Sequence, residues 1–165
     1  MYKKCCQNKQ LNNKAGFTLL ELMVVIVIIG IAVAVAIPSM SGWFGKKDLD
    51  SISRQIFTDF QRAKNEAITT GRTIQIQVHM DPDWYRVLYT SSGVDIDIVP
   101  QTNMPQGITI DSTTFPLSAI GNTTGITPRG FATQQGTVTI RSDNAPTANR
   151  DRTITLTRGG VASIE

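Results

Sequence analysis

One stretch limits this chain more than any other. From Phe17 to Ile37, 21 residues carry a single charge, Glu21. At 1.5 Å per residue, about 20 apolar residues cross the hydrocarbon core of a bilayer as a helix. The sequence therefore predicts a membrane-spanning first segment and a soluble part after it. Charge orients the span. Of 16 Lys and Arg residues, four (Lys3, Lys4, Lys9 and Lys14) precede the run, and all 13 acids follow Gly16. Basic residues stay on the cytoplasmic side, which places the C-terminal part across the membrane. With those four lysines set aside, 12 cations face 13 acids, so the overall basicity is no argument for nucleic acid. Cys5 and Cys6 also precede the run, and the part beyond it has no cysteine to form a disulfide.

Three readings fit a run of this kind. A plain anchor explains its length but not Glu21, because an acid at the bilayer centre costs roughly 2.5–3.5 kcal/mol. An ordinary secretory signal would use the small residues Ala34-Val35-Ala36 for cleavage, but the run is long for that role and contains an acid. The third reading is a resemblance. "GFTLLELMVVIVIIGIAVAVAIP" resembles the class III leader and N-terminal helix of type IV pilins and type II secretion pseudopilins, on Gly16, Phe17, Thr18, Leu19, Glu21 and Pro38. The resemblance implies cleavage after Gly16 by a prepilin peptidase and N-methylation of Phe17. It implies that Glu21 and Pro38 serve assembly, with Glu21 compensating the N-terminal amine of a neighbouring subunit. A buried charge persists when it is paired.

Beyond Pro38, which either ends the membrane helix or bends it, the helical period resumes. Leu49, Ile52, Ile56, Phe60, Ala63 and Ala67 follow steps of three and four, one amphipathic stripe. A helix is expected over 48–70, with Gly71 as its C-terminal cap. The period then becomes two. "TIQIQVHM" sets Ile74, Ile76, Val78 and Met80 on one face. Asp81-Pro82-Asp83 signals a turn, and "WYRVLYT" is its hairpin partner. Residues 91–107 read as a polar loop with at most a short strand. Short strands are expected at 108–110, 115–117, 137–141, 153–157 and 161–164, with turns in "TPRGFATQQG". No internal repeat is evident. The expected fold is α+β and pilin-like: a long N-terminal helix, its first half membrane-spanning, packed against an antiparallel β-sheet. The expected divisions are a leader (1–16), a transmembrane segment (17–37), an amphipathic continuation (38–71) and a β domain (72–165).

"FQRAKNEAITTGRTIQIQV" resembles the GspH/FimT branch of minor pilins and pseudopilins, as do "TPRGFA" and "RTITLTRGGVASIE". The branch implies a non-catalytic subunit that assembles into or initiates a type IV pilus or a type II secretion pseudopilus, with a slight lean toward the pilus. Its implied partners are prepilin peptidase, other pilin or pseudopilin subunits and inner-membrane lipid. Its implied location is the bacterial inner membrane, single-pass with the C-terminal domain in the periplasm, and then the filament. The alternatives are a DNA-binding minor pilin for DNA uptake and a non-polymerising, membrane-anchored periplasmic binding domain.

Sharper chemistry finds little support in the residues. After Phe17 there is one histidine, His79, and no HExxH, G-x-S-x-G or P-loop. No enzyme, cofactor or metal site is expected. Asp143, Asn144, Asn149 and Asp151 offer hard oxygen donors, but turns favour the same residues. Trp84 and Tyr85 read as core. Arg129, Arg141, Arg150, Arg152 and Arg158 could hold phosphates if folding gathers them. Yet the branch's Gly-Arg-x-Arg-like DNA motif lacks its arginine pair after Gly159-Gly160 here.

Overall fold

A computed structural model describes residues 17–119 and 121–165, without the side chains of 35–41. The chain divides into two compact units, Met1–Pro38 and Ser39–Glu165.

In the first unit, helix α1 begins; its full bounds are Leu19–Thr70. The described apolar side chains up to Ala34 are all exposed, from Phe17 at 85% to Val25 at 45%. No described residue buries them. Among the described residues, no helix is long and apolar enough to cross a membrane. The described side chains of the run stop at Ala34, short of the ~20 residues that a crossing needs. The helical backbone continues through Pro38, so proline does not end it; its side chain, and with it the expected bend, lies outside the described residues. Gly16 lies outside them too.

In the second unit, the C-terminal part of α1 packs its stripe on two antiparallel sheets rather than the one expected. The strands are β1 Ile74–Met80, β2 Asp83–Ser91, β3 Val94–Asn103, β4 Ile108–Thr113, β5 Leu117–Ser118, β6 Gly121–Ile126, β7 Gly136–Ser142, β8 Asp151–Leu156 and β9 Ala162–Ile164. The first sheet runs β3-β2-β1-β6-β5, and the second β4-β7-β8-β9. One core joins them. Leu49, Ile56, Phe60, Ala63 and Ala67 from α1 meet Ile76, Val87, Ile140 and Ile154 from the sheets. Ala63 and Ala67 are fully buried, and their small side chains let sheet and helix backbones come close. Gly71, at φ +65°, ends the helix in the left-handed conformation.

Four departures from the sequence reading appear here. The segment read as a loop at 91–107 holds β3, a ten-residue edge strand paired to β2. Its apolar Val94, Ile96 and Ile98 alternate with Asp95 and Asp97, and Pro100 is tolerated because the strand is an edge. β6 was not foreseen, yet it lies beside β1 inside the sheet. Two of its inward residues are polar, ahead of the core residue Ile126: Asn122 donates to the Phe115 carbonyl at 2.7 Å and Thr124 to the Gln134 carbonyl at 2.8 Å. Trp84 is half-buried outside the core; it stacks on His79 with ring centroids 5.2 Å apart. Met80, expected on the buried face, is 42% exposed at the strand end.

Tyr85 does enter the core and ties it to the helix. Its hydroxyl donates to Asp59 Oδ2 at 2.6 Å. Burial, reinforced by that carboxylate, pushes the phenol above its ordinary range. The folded state therefore holds this proton more tightly than the unfolded chain. Its contribution is fully present below the unfolded pKa of about 10 and is lost as pH rises above it. Tyr85→Phe is expected to lower stability by about 1.5–3 kcal/mol at neutral pH. The variant's stability should also fall less steeply above about pH 10. Denaturant titration at pH 7 and pH 10.5 checks both.

Candidate functional site

The described residues that the sequence singles out for processing and assembly, Phe17 and Glu21, lie at the start of α1. Thr18 is its N-cap: Thr18 Oγ1 accepts the Glu21 amide at 3.2 Å, and its carbonyl accepts the Leu22 amide at 3.2 Å. Glu21 is thus the third residue of the helix, the position from which an acid can complete a capping box and complement the positive end of the helix dipole. The Thr-x-x-Glu spacing carried this signal in the sequence. Thr18 was read only as part of the family pattern, and its capping work was missed. Glu21 is exposed, so its carboxylate is available to a second molecule. Phe17, 85% exposed, precedes the cap.

The five arginines are not gathered into one surface. Arg141 is ion-paired with Asp111 and Asp151. Its hydrogen bond to Asp151 raises its own pKa and holds that carboxyl below the usual range. Arg150 lies 3.8 Å from Asp143. Arg152 donates to Asp50 at 3.0 Å and so ties β8 to the helix. Arg129 and Arg158 are exposed on two turns that pack against each other, the Ala132 amide donating to the Arg158 carbonyl at 3.0 Å.

Those turns are near copies. Thr127-Pro-Arg-Gly-Phe-Ala132 and Thr157-Arg-Gly-Gly-Val-Ala162 share one hydrogen-bond pattern. In each, the threonine hydroxyl donates to the carbonyl of the apolar residue four positions on, and the glycine amide donates to the threonine carbonyl. Gly130 and Gly160 both have positive φ. This local repeat was missed because it spans only six residues.

The loop with the four candidate oxygen donors supports the helix instead. A Cβ on Gly45 would lie 2.6 Å from the Asn144 carbonyl carbon, so this loop backbone rests directly on α1. Asp143 and Asp151 face arginines, as above. No group of three or more metal-ligating side chains occurs among the described residues.

Comparison with known proteins adds to this geometry. The family model described as "Type II transport protein GspH" matches residues 53–160. A prokaryotic N-terminal methylation motif matches residues 11–37. No curated protein matches the chain. Among solved structures, the minor pseudopilin EpsH from the type 2 secretion system of Vibrio cholerae is similar at TM-score 0.60 and 14% identity, over 72% of this chain and 96% of that one. The type IV minor pilin FimU of Pseudomonas aeruginosa is similar at TM-score 0.56 and 18% identity, over 72% and 89%. At these identities the likeness concerns the fold.

Proposed function

The chain belongs to the GspH family of type II transport proteins, and we propose that it is a non-catalytic minor subunit of a type II secretion pseudopilus or a type IV pilus. One observation carries this reading: an N-terminal methylation motif and a GspH domain occur in the same chain, in that order. The likeness to solved subunits of both machines supports the shared role.

In this reading prepilin peptidase cuts after Gly16 and Phe17 becomes the methylated first residue. The run Phe17–Ile37 holds the subunit in the inner membrane, with the β domain in the periplasm. Packing among subunits then buries the apolar side chains that one chain leaves exposed. Glu21 meets the amine of a neighbouring Phe17, and Pro38 allows α1 to adapt.

Filaments sheared from cells that express a tagged chain test the proposal. The tag is expected in the filament fraction as well as in the membrane. A tag confined to membranes in cells with intact filaments would contradict it.

A further inference from the structure

The first turns of α1 in the second unit present two unlike sides. Gly42 and Gly45 face the domain; a Cβ on Gly42 would lie 3.3 Å from Pro146, and one on Gly45 would meet Asn144. Trp43 and Phe44 are left outside, 56% and 50% exposed. Their rings pack edge to face with centroids 5.2 Å apart, and Lys47 Nζ lies 5.6 Å from the Trp43 ring centroid. An aromatic pair that contacts a lysine is half of an ordinary surface solution; the other half would bury the rings, and no described residue of the domain does so.

Cations extend the patch. A groove of about 470 Å³ is lined by Lys46, Arg54 and Arg152 with one acid, Asp50. Arg152 already neutralises Asp50. Lys46 and Lys47 follow the rings within one helical turn, and Asp48 is exposed nearby. Exposed Trp beside Lys is the composition of a membrane–water interface, where the indole sits at headgroup level and ammonium groups meet lipid phosphates. Position agrees. Trp43 is six residues beyond Ile37 along the chain, so it lies within about 20 Å of the end of the apolar run in any conformation.

We propose that Trp43, Phe44, Lys46 and Lys47 dock onto the anionic headgroup layer of the membrane and so fix the depth of the anchor before the subunit enters a filament. The inference rests on the proposed membrane insertion of the preceding run.

The chain has two tryptophans, and Trp84→Phe leaves Trp43 as the sole indole. The full chain with that change is reconstituted in phosphatidylcholine vesicles with and without phosphatidylglycerol, and flotation is measured first. Lipids brominated near the headgroup are expected to quench Trp43 at least about twofold more than lipids brominated near the chain ends. Lys46→Gln with Lys47→Gln is expected to reduce that quenching in the anionic vesicles alone. Three results would overturn the proposal. A floating chain whose Trp43 is quenched by aqueous acrylamide and by neither bromolipid places the patch in water. A floating chain whose Trp43 is shielded from all three quenchers makes the patch a protein interface. A chain that does not float removes the membrane reading together with this inference.

Discussion

Glu21→Ala is expected to remove the subunit from filaments while leaving it in the membrane. A carboxylate that pairs with a neighbouring N-terminal amine inside a packed helical bundle is desolvated. Taking away one member of such a pair costs roughly 3–5 kcal/mol, because the other charge stays buried and alone. That corresponds to a fall of at least about a hundredfold in incorporation. The capping box offers a competing explanation, since Glu21 also stands at the third position of a Thr18-capped helix. Glu21→Gln separates the two. Glutamine serves a capping box as well as glutamate does but cannot neutralise an amine. The expected result is that Ala and Gln fail alike in the sheared-filament fraction, with flotation of both unchanged. Recovery with Gln would assign Glu21 to helix capping and remove its proposed pairing role.

Gly160→Val is expected to unfold the domain or nearly so. Gly160 sits at φ +64°, where a β-branched residue is strained. A Cβ there would overlap the Gly130 carbonyl oxygen on the twin turn, and backbone cannot swing aside as a side chain can. Strain and overlap together put the cost above about 3 kcal/mol, and a domain of this size would melt about 10 °C lower or more. Gly159→Ala is the control. Its added carbon would meet only Thr157 Oγ1, at 3.9 Å, so the melting temperature should move by no more than about 2 °C. A similar loss from both changes would mean that the turn pairing contributes little.

These turns also mark where the sequence stops being legible. Elements with a strong period were readable from their residues alone. The stripe Leu49 to Ala67 and the alternation Ile74, Ile76, Val78 reflect apolar burial, and burial leaves a spacing behind. β3 was hidden by its own edge protection. Asp95, Asp97 and Pro100 read as loop residues, although acids and proline are how an exposed edge avoids pairing with another chain. The turn that feeds it uses Ser92 and Gly93, both at positive φ, a two-residue hairpin signal that alternation alone does not supply. β6 was invisible for another reason. Its inward Asn122 and Thr124 donate to the carbonyls of Phe115 and Gln134 outside the strand, and a polar core position satisfied by tertiary contact leaves no apolar alternation to read. Trp84 was assigned to the core on hydrophobicity, but it stacks on His79 across the hairpin instead.

The candidate site was legible to a different degree. Glu21 stands out because an acid inside an apolar run demands a reason, whereas Gly16 and Phe17 are singled out only by the resemblance to type IV pilins. The capping role of Thr18 was equally readable from its spacing to Glu21 and was passed over. The arginines could not be placed at all, since whether cations gather or pair with acids is decided by tertiary contacts such as Arg152 to Asp50.

The most direct test of the account is the intact mass and N-terminal sequence of the protein taken from the membranes of a host that carries a prepilin peptidase. The account predicts a chain that begins at Phe17 and carries one N-methyl group, a mass gain of one CH2 unit. A chain that begins near Ile37, or one that keeps Met1, would contradict it.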